Sequence, residues 1–369
     1  MSTGLVFHER YLWHDTGHGW MIPNDGAVVQ PFEHPENPET KRRMLNLWRA
    51  AGMLDHLVAI APRAATVAEI GLVHPQQHIT RIAELSASGG GDAGGLTPIG
   101  LGSYEIALLS AGGCIAAGDA VVDGPVSNAY ALVRPPGHHA LPDAALGFCV
   151  FNNAAISVRH LQAQRGVGRV AMVACDVHHG NGQKTVFYDD SNVLTISIHQ
   201  DLCFPPDSGY LASNGAGPGL GYNLNVPLPP GSGHGPYLAA YERVVLPALY
   251  RFQPEFIVAP SGFDGGFFDP LGRMMASSET YREMTRLLKA AADDLCGGRL
   301  FMTHEGGYSA AYVPFIGLAV IEELSGVKSP VDDQYAFICA NGGQQDLQPH
   351  QDALITSAEQ LLTGIGSKS

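Results

Sequence analysis

The chain is short of charge, and of positive charge most of all. Charged residues make up 15% of its 369 positions, with 21 Lys and Arg against 35 Asp and Glu, for a net charge of −14. Such a surface repels a phosphate backbone, so no nucleic-acid partner is expected. Cysteine is sparse: Cys114, Cys149, Cys175, Cys203, Cys296 and Cys339 are scattered, with no CxxC pair. That excludes a zinc ribbon and a dithiol redox motif. No apolar run reaches the ~18 residues of a membrane span, so no membrane partner is expected. The N-terminus lacks a basic stretch followed by an apolar one, so no signal peptide is expected and a reducing, cytoplasmic setting is the default. There is no G-x-S-x-G elbow, which disfavours a serine hydrolase. The glycines of "GAGPGLGYN" do not match a dinucleotide fingerprint in strand–turn–helix context. No 20–50-residue repeat appears.

What the chain does have is core: 45% of residues are apolar. Short apolar runs at 129–133, 169–175, 193–198, 256–260 and 300–303 read as strands buried on both faces. Segments 102–120, 152–164, 236–252 and 278–296 have helical spacing. The alternation predicts an α/β domain with a parallel sheet covered by helices. The Gly-rich stretch 86–100 is expected to be a surface loop rather than a linker, and the Gly- and Pro-rich stretch 199–234 a long, mostly irregular insertion of functional kind. Residues 330–369 read as a tail with a helix at "DALITSAEQLLTGI".

Four polar motifs follow four of the strands: "RPPGHHA", "DVHHGNG", "SGFD" and "HEGGY". Ligands of open parallel sheets bind at the carboxyl ends of the strands. Asp176 and His178 are two apart, so in extended backbone both face one side. Asp264 offers a further oxygen. Two carboxylates and one imidazole, with room left for water, make an open catalytic site for Zn²⁺ or a similar divalent ion. Alone, a D-x-H is more often a loop cap; the other motifs tip the balance to a metal. His138 and His139 follow a stiff turn, where one imidazole could move a water proton and its neighbour hold charge. Tyr308 follows Gly306 and Gly307, which let the backbone bend around a ligand while the phenol donates to a developing oxyanion. Gly147-Phe148 and Phe204-Pro205 suit the walls of an apolar slot. The reaction these parts predict is hydrolysis of an amide or ester.

In combination, "RPPGHHA", "GFCVFNN", "DVHHGNG", "SGFD" with "DPLG", and "EGGYS" resemble the histone deacetylase superfamily, most of all class II and the bacterial histone deacetylase-like amidohydrolases. The likeness runs from about 34 to about 326, and "WHDTGHG" at 13–19 resembles their entrance segment. The resemblance implies the arginase/deacetylase fold over residues 1–369 as a single domain, with about eight mostly parallel strands. It implies zinc on Asp176, His178 and Asp264, a His138–His139 pair with the second as main general base, and Tyr308 at the transition state. It implies an acyl tunnel at Gly147, Phe148, His179, Phe204, Leu271, Gly306 and Gly307. It implies structural potassium at Asp176, His178, Ser197 and Ile198, and again at Phe187, Asp190, Val193 and Tyr222. The substrate is then an acyl-lysine or another acylated amine, and the assembly a homo-oligomer, dimer or tetramer.

One position departs from the pattern. The superfamily's D-x-D-x-H reads Ala174-Cys175-Asp176-Val177-His178 here. The missing carboxylate ordinarily bonds the first His of the pair, so a site that binds zinc and ligands but turns over slowly is expected. Three other readings stay open at this stage: an acetylpolyamine deacetylase, disfavoured by the apolar Leu271; an arginase-like binuclear hydrolase; and a non-catalytic acyl-group binder.

Overall fold

The computed structural model describes residues 2–19, 30–343 and 345–366. Its centre is a sheet of eight strands: β1 (Thr3–Val6), β2 (Leu57–Ile60), β5 (Asn128–Ala131), β6 (Val170–Ala174), β7 (Val193–Gln200), β8 (Asn223–Leu228), β9 (Phe256–Ser261) and β10 (Leu300–His304). A separate antiparallel pair joins β3 (Gly90–Asp92) to β4 (Pro98–Gly100). The large sheet runs β2-β1-β5-β10-β9-β6-β7-β8, and every neighbouring pair is parallel. This is the architecture expected from the alternation of apolar runs and helices.

The apolar runs are continuous because both faces are covered. Successive side chains of a strand point to opposite faces. Ala171 and Val173 of β6, with Ile257 and Ala259 of β9, join the core shared with helices 39–50, 234–252, 278–296 and 313–325. Val170 and Met172, with Phe256 and Val258, join the core shared with helices 103–123 and 153–165. By length and composition, helix Ser103–Asp123 is apolar enough to cross a membrane. Here it is a core helix: Ile106, Cys114, Ala117 and Val121 are buried against the sheet side of the molecule.

Three strands escape the sequence reading. β1 is only four residues long, and β2 is an edge strand whose middle faces solvent. β8 lies inside the stretch read as irregular. It carries Asn223, Asn225 and Pro227, and as the edge strand it pairs with β7 alone, where a proline is tolerated. The Gly-rich stretch 86–100 is likewise more ordered than a plain loop, ending one helix and forming the β3–β4 hairpin. Helix 234–252 contains a π-helical turn at Tyr241–Val245. The tail forms a helix at Pro349–Gln360 that packs on the body of the same chain, with Arg243 clasping Glu359, Asp352 and Thr356. All six cysteines are free, and all but Cys203 are buried.

The four motif-bearing strands are β5, β10, β9 and β6, four consecutive members of the sheet. Their loops therefore leave the same edge side by side.

Candidate active site

Asp176 and His178 follow β6, and Asp264 follows β9; all three are buried. One ligating atom from each lies within 4.8 Å of the others. His178 Nδ1 stands 3.1 Å from Asp176 Oδ1 and 3.0 Å from Asp264 Oδ2. Backbone amides fix the remaining oxygens: Gly306 N–H donates to Asp176 Oδ2 at 2.8 Å, and Val177 N–H to Asp264 Oδ1 at 2.8 Å. Glycine is required around them. A Cβ on Gly262 would lie 2.0 Å from Asp176 Oδ2, and one on Gly306 2.1 Å from Asp264 Oδ2.

The electrostatics ask for a cation. Burial, then the charge of Asp176, pushes the Asp264 carboxyl up to about 7. Burial opposes ionisation of Asp176 as well, but the His138 imidazole and the His178 hydrogen bond hold it below its ordinary range. For His178, burial favours the neutral ring, yet hydrogen bonds to both carboxylates raise its pKa well above the ordinary value. The imidazole N–H is thus the positive group serving this pair of carboxylates. A divalent ion meets the same demand with the same three atoms, two oxygens and one nitrogen, so the donor set fits Zn²⁺.

The paired imidazoles follow β5. Their ring centroids are 3.9 Å apart. His139 Nδ1 bonds Asn181 Oδ1 at 2.7 Å. His138 Nε2 lies 3.6 Å from Asp176 Oδ2, while its Nδ1 is buried with no partner. Ala174 is fully buried at the end of β6, in register with Ser197, and supplies no acceptor. Burial lowers the pKa of both imidazoles; the facing His178 adds to this for His138, as His138 and His178 do for His139.

The turn that carries the pair is held by a residue the sequence did not single out. Glu305 Oε2 accepts from Gly137 N–H at 2.7 Å and His138 N–H at 3.0 Å. Burial pushes this carboxyl up to about 8. Only the fold brings Glu305, just past β10, to the β5 loop, so no local spacing could reveal it.

Tyr308 opens onto a cavity of about 140 Å³ lined by Leu96, His139, Gly147, Phe148, His178, Cys203, Phe204, Leu271 and Tyr308. Phe148 meets Tyr308 edge-on at 5.8 Å, and Phe204 meets His139 edge-on at 4.9 Å. Gly147 has φ +53°, and a Cβ there would lie 2.6 Å from the His139 ring and 2.7 Å from Phe204. Burial, then the Asp264 and Asp176 charges, keeps the Tyr308 phenol a neutral donor. Asp269, of "DPLG", ties two walls together: it accepts from Tyr308 N–H at 2.7 Å and Leu271 N–H at 2.9 Å.

Leu96 and Cys203 are cavity residues that the sequence reading missed. Leu96 arrives from the β3–β4 hairpin, which is pinned to the tunnel wall by Gly147 N–H donating to Gly95 O at 2.8 Å. Conversely, three residues assigned to the tunnel are not in its lining. His179 is engaged with Ser208 at 2.5 Å and packs on the His199 ring, donating its backbone N–H to Phe204 O from the layer behind. Gly306 is spent on Asp176, and Gly307 packs on Phe263.

The two sets of potassium candidates fall in two places. Ser197 Oγ accepts from Gly180 N–H at 3.3 Å and bonds His199 Nδ1, beside the start of the Asp176–His178 segment, and Ile198 follows it in β7. Phe187, Asp190 and Val193 are linked by successive N–H to carbonyl bonds, and Tyr222 O joins them through Thr195 N–H.

Residues 34–324 match the model of the histone deacetylase domain family. The chain is 51% identical over 334 residues to a histone deacetylase-like amidohydrolase of Pseudomonas aeruginosa, covering 90% of this chain and 88% of that protein. It is 37% identical to a probable deacetylase of Archaeoglobus fulgidus, over 88% of this chain and 87% of that one. It is also 34% identical to the human polyamine deacetylase HDAC10, over 89% of this chain and 49% of that protein. Among solved structures, an HDA15 HD domain superposes with a TM-score of 0.85 at 32% identity, covering 98% of this chain and 96% of that one. With the arginase/deacetylase fold in place and the family motifs gathered at one sheet edge, the chain belongs to the histone deacetylase family.

Proposed function

We propose that this chain is a zinc-dependent deacylase that removes acetyl or related acyl groups from acyl-lysine or another acylated amine. The observation that carries the reading is the convergence of Asp176, His178 and Asp264 within 4.8 Å, with His178 in the lining of a cavity that also presents His139 and Tyr308. Those three residues would hold the ion, which when bound supplies Lewis acidity and lowers the pKa of water.

The chain's own groups do the rest. The apolar walls, Phe148 and Phe204, align the acyl-amine stem and exclude bulk water. His139, kept neutral by burial and oriented by Asn181, accepts a proton from the attacking water and returns one to the leaving amine. The Tyr308 phenol donates to the oxyanion as the carbonyl becomes tetrahedral. His138, beneath, steadies the charge of that proton transfer. Its Nδ1 has no acceptor, which supports a turnover below that of relatives with a carboxylate at position 174. Potassium at Asp176, His178, Ser197 and Ile198, and at Phe187, Asp190, Val193 and Tyr222, belongs to the same proposal as structural support. So does a reducing, cytoplasmic location, in keeping with six free thiols.

Deacetylation of acetylpolyamines is the second reading, favoured by the relationship to the human polyamine deacetylase. The cavity favours the first: Leu96 and Leu271 line it and offer no carboxylate to a distal ammonium. The test is release of acetate or trifluoroacetate from acyl-lysine reporters and acetylpolyamines by the purified chain, after chelation and after zinc is restored. Zinc-restored activity strongest on acyl-lysine is expected. Bound zinc without release from any substrate would leave only the non-catalytic acyl-group binder.

A further inference from the structure

Behind the cavity lies a second set of ligating atoms that the deacylase chemistry does not use as a set. An imidazole nitrogen of His138, Cys149 Sγ and a carboxylate oxygen of Glu305 lie within 4.8 Å of one another, and all three residues are buried. Two of them have unspent capacity. Glu305 gives Oε2 to two backbone amides and leaves Oε1 buried without a partner. His138 Nδ1 is also buried without a partner. Unpartnered buried polar atoms are costly, and here two belong to one cluster. Cys149 adds a soft ligand, its thiol fully buried.

We propose that His138, Cys149 and Glu305 form a second metal site, for a thiophilic divalent cation such as Zn²⁺, whose occupation inhibits the enzyme. The chemistry balances. Binding releases the thiol proton of Cys149 and the carboxyl proton of Glu305 to solvent. One thiolate and one carboxylate then cancel the two charges of the ion, so the filled site adds no net charge to the interior. A His/Cys/Glu set is one that zinc accepts in tetrahedral geometry with a water as fourth ligand. Inhibition follows because the ion takes His138 from its partner His139, leaving no free imidazole to steady the charge of the proton transfer. The binding claim stands by itself; the inhibition claim rests on the deacylase reading.

Cobalt(II) separates the two sites by colour. The chelated chain is titrated with Co²⁺ while absorbance and bound metal are followed. The Asp176–His178–Asp264 site has no sulfur, so the first equivalent gives only weak visible bands. The second should bring a thiolate-to-metal charge-transfer band in the near ultraviolet. Cys149→Ser should abolish that band, and Glu305→Gln should weaken the second equivalent by at least about tenfold, with the first unchanged in both. One equivalent per chain, or a second without the thiolate band, overturns the proposal. So does a band that survives Cys149→Ser and disappears in Cys203→Ser, since Cys203 lines the cavity. In the wild type, excess zinc should lower acyl-lysine turnover, and Cys149→Ser should lose that inhibition relative to its own uninhibited rate. If zinc at one equivalent gives no turnover at all, the deacylase reading fails while the cobalt result still decides the site.

Discussion

Two of the buried charge clusters among the described residues are built to opposite plans. In one, Glu36 takes Lys41 Nζ at 2.8 Å and Arg134 Nε at 2.9 Å, with all three side chains at most 2% exposed. Arg134 also donates to the carbonyls of Tyr11, His14 and Glu36. Burial opposes ionisation of Glu36, but Arg134 and then Lys41 hold its carboxyl well below the usual range. In the other, Asp176 and Asp264 share a single imidazole, and one carboxyl is pushed up to about 7. The first cluster satisfies itself and anchors the strand end from which the RPPGHH turn departs. The second is in deficit by a cation. Burial alone does not mark a functional site; buried carboxylates crowded together with too few cationic partners do.

The most severe way to break this comparison is Asp264→Ala. It should abolish zinc retention and acyl-lysine turnover while circular dichroism shows the fold intact, because the deficit it removes is one the fold does not need. Glu36→Gln should do the reverse: a loss of about 3–5 kcal/mol in stability, read by denaturant unfolding, because it strands two buried cations. A pH series sharpens this. Glu36 has a depressed pKa in the folded chain, so its contribution is present above its ordinary value of 4.5 and is lost as pH falls below it. That acid-side slope should shrink in Glu36→Gln. Tyr308→Phe, which alters the charge of neither cluster, should lower kcat by about 10²–10³-fold with little change in KM. The smallest effect expected is from Ala174→Asp, a rise in kcat of about 10–100-fold as His138 gains an acceptor. An unchanged kcat there would mean that the unpartnered Nδ1 is not what limits turnover.

The same contrast explains what was legible in the sequence. Asp176, His178 and Asp264 could be paired because D-x-H and GFD each sit directly after an apolar run, and the sheet then does the gathering. Strands β5, β6, β7, β9 and β10 were visible because they are apolar on both faces. β8 was not, since an edge strand admits Asn and Pro. Glu36 and Glu305 gave no signal, because their partners are 98 and 168 residues away respectively, for Arg134 and Gly137. Leu96 was hidden in a Gly-rich hairpin whose composition says only that it turns. His179 was misassigned because its neighbour His178 enters the cavity while its own ring is drawn back to Ser208 and His199.

The adjacency of β5, β10, β9 and β6 has a consequence for how such a protein can diversify. At the usual spacing of parallel strands, these four span roughly 14 Å. Everything that performs chemistry hangs from that narrow span, flanked by two strands on either side. Peripheral segments such as the β3–β4 hairpin and the loop before β8 can lengthen, shorten or change composition without disturbing it. Selectivity and reactivity are thereby carried on separable parts of the chain, so one can be re-engineered while the other is left alone.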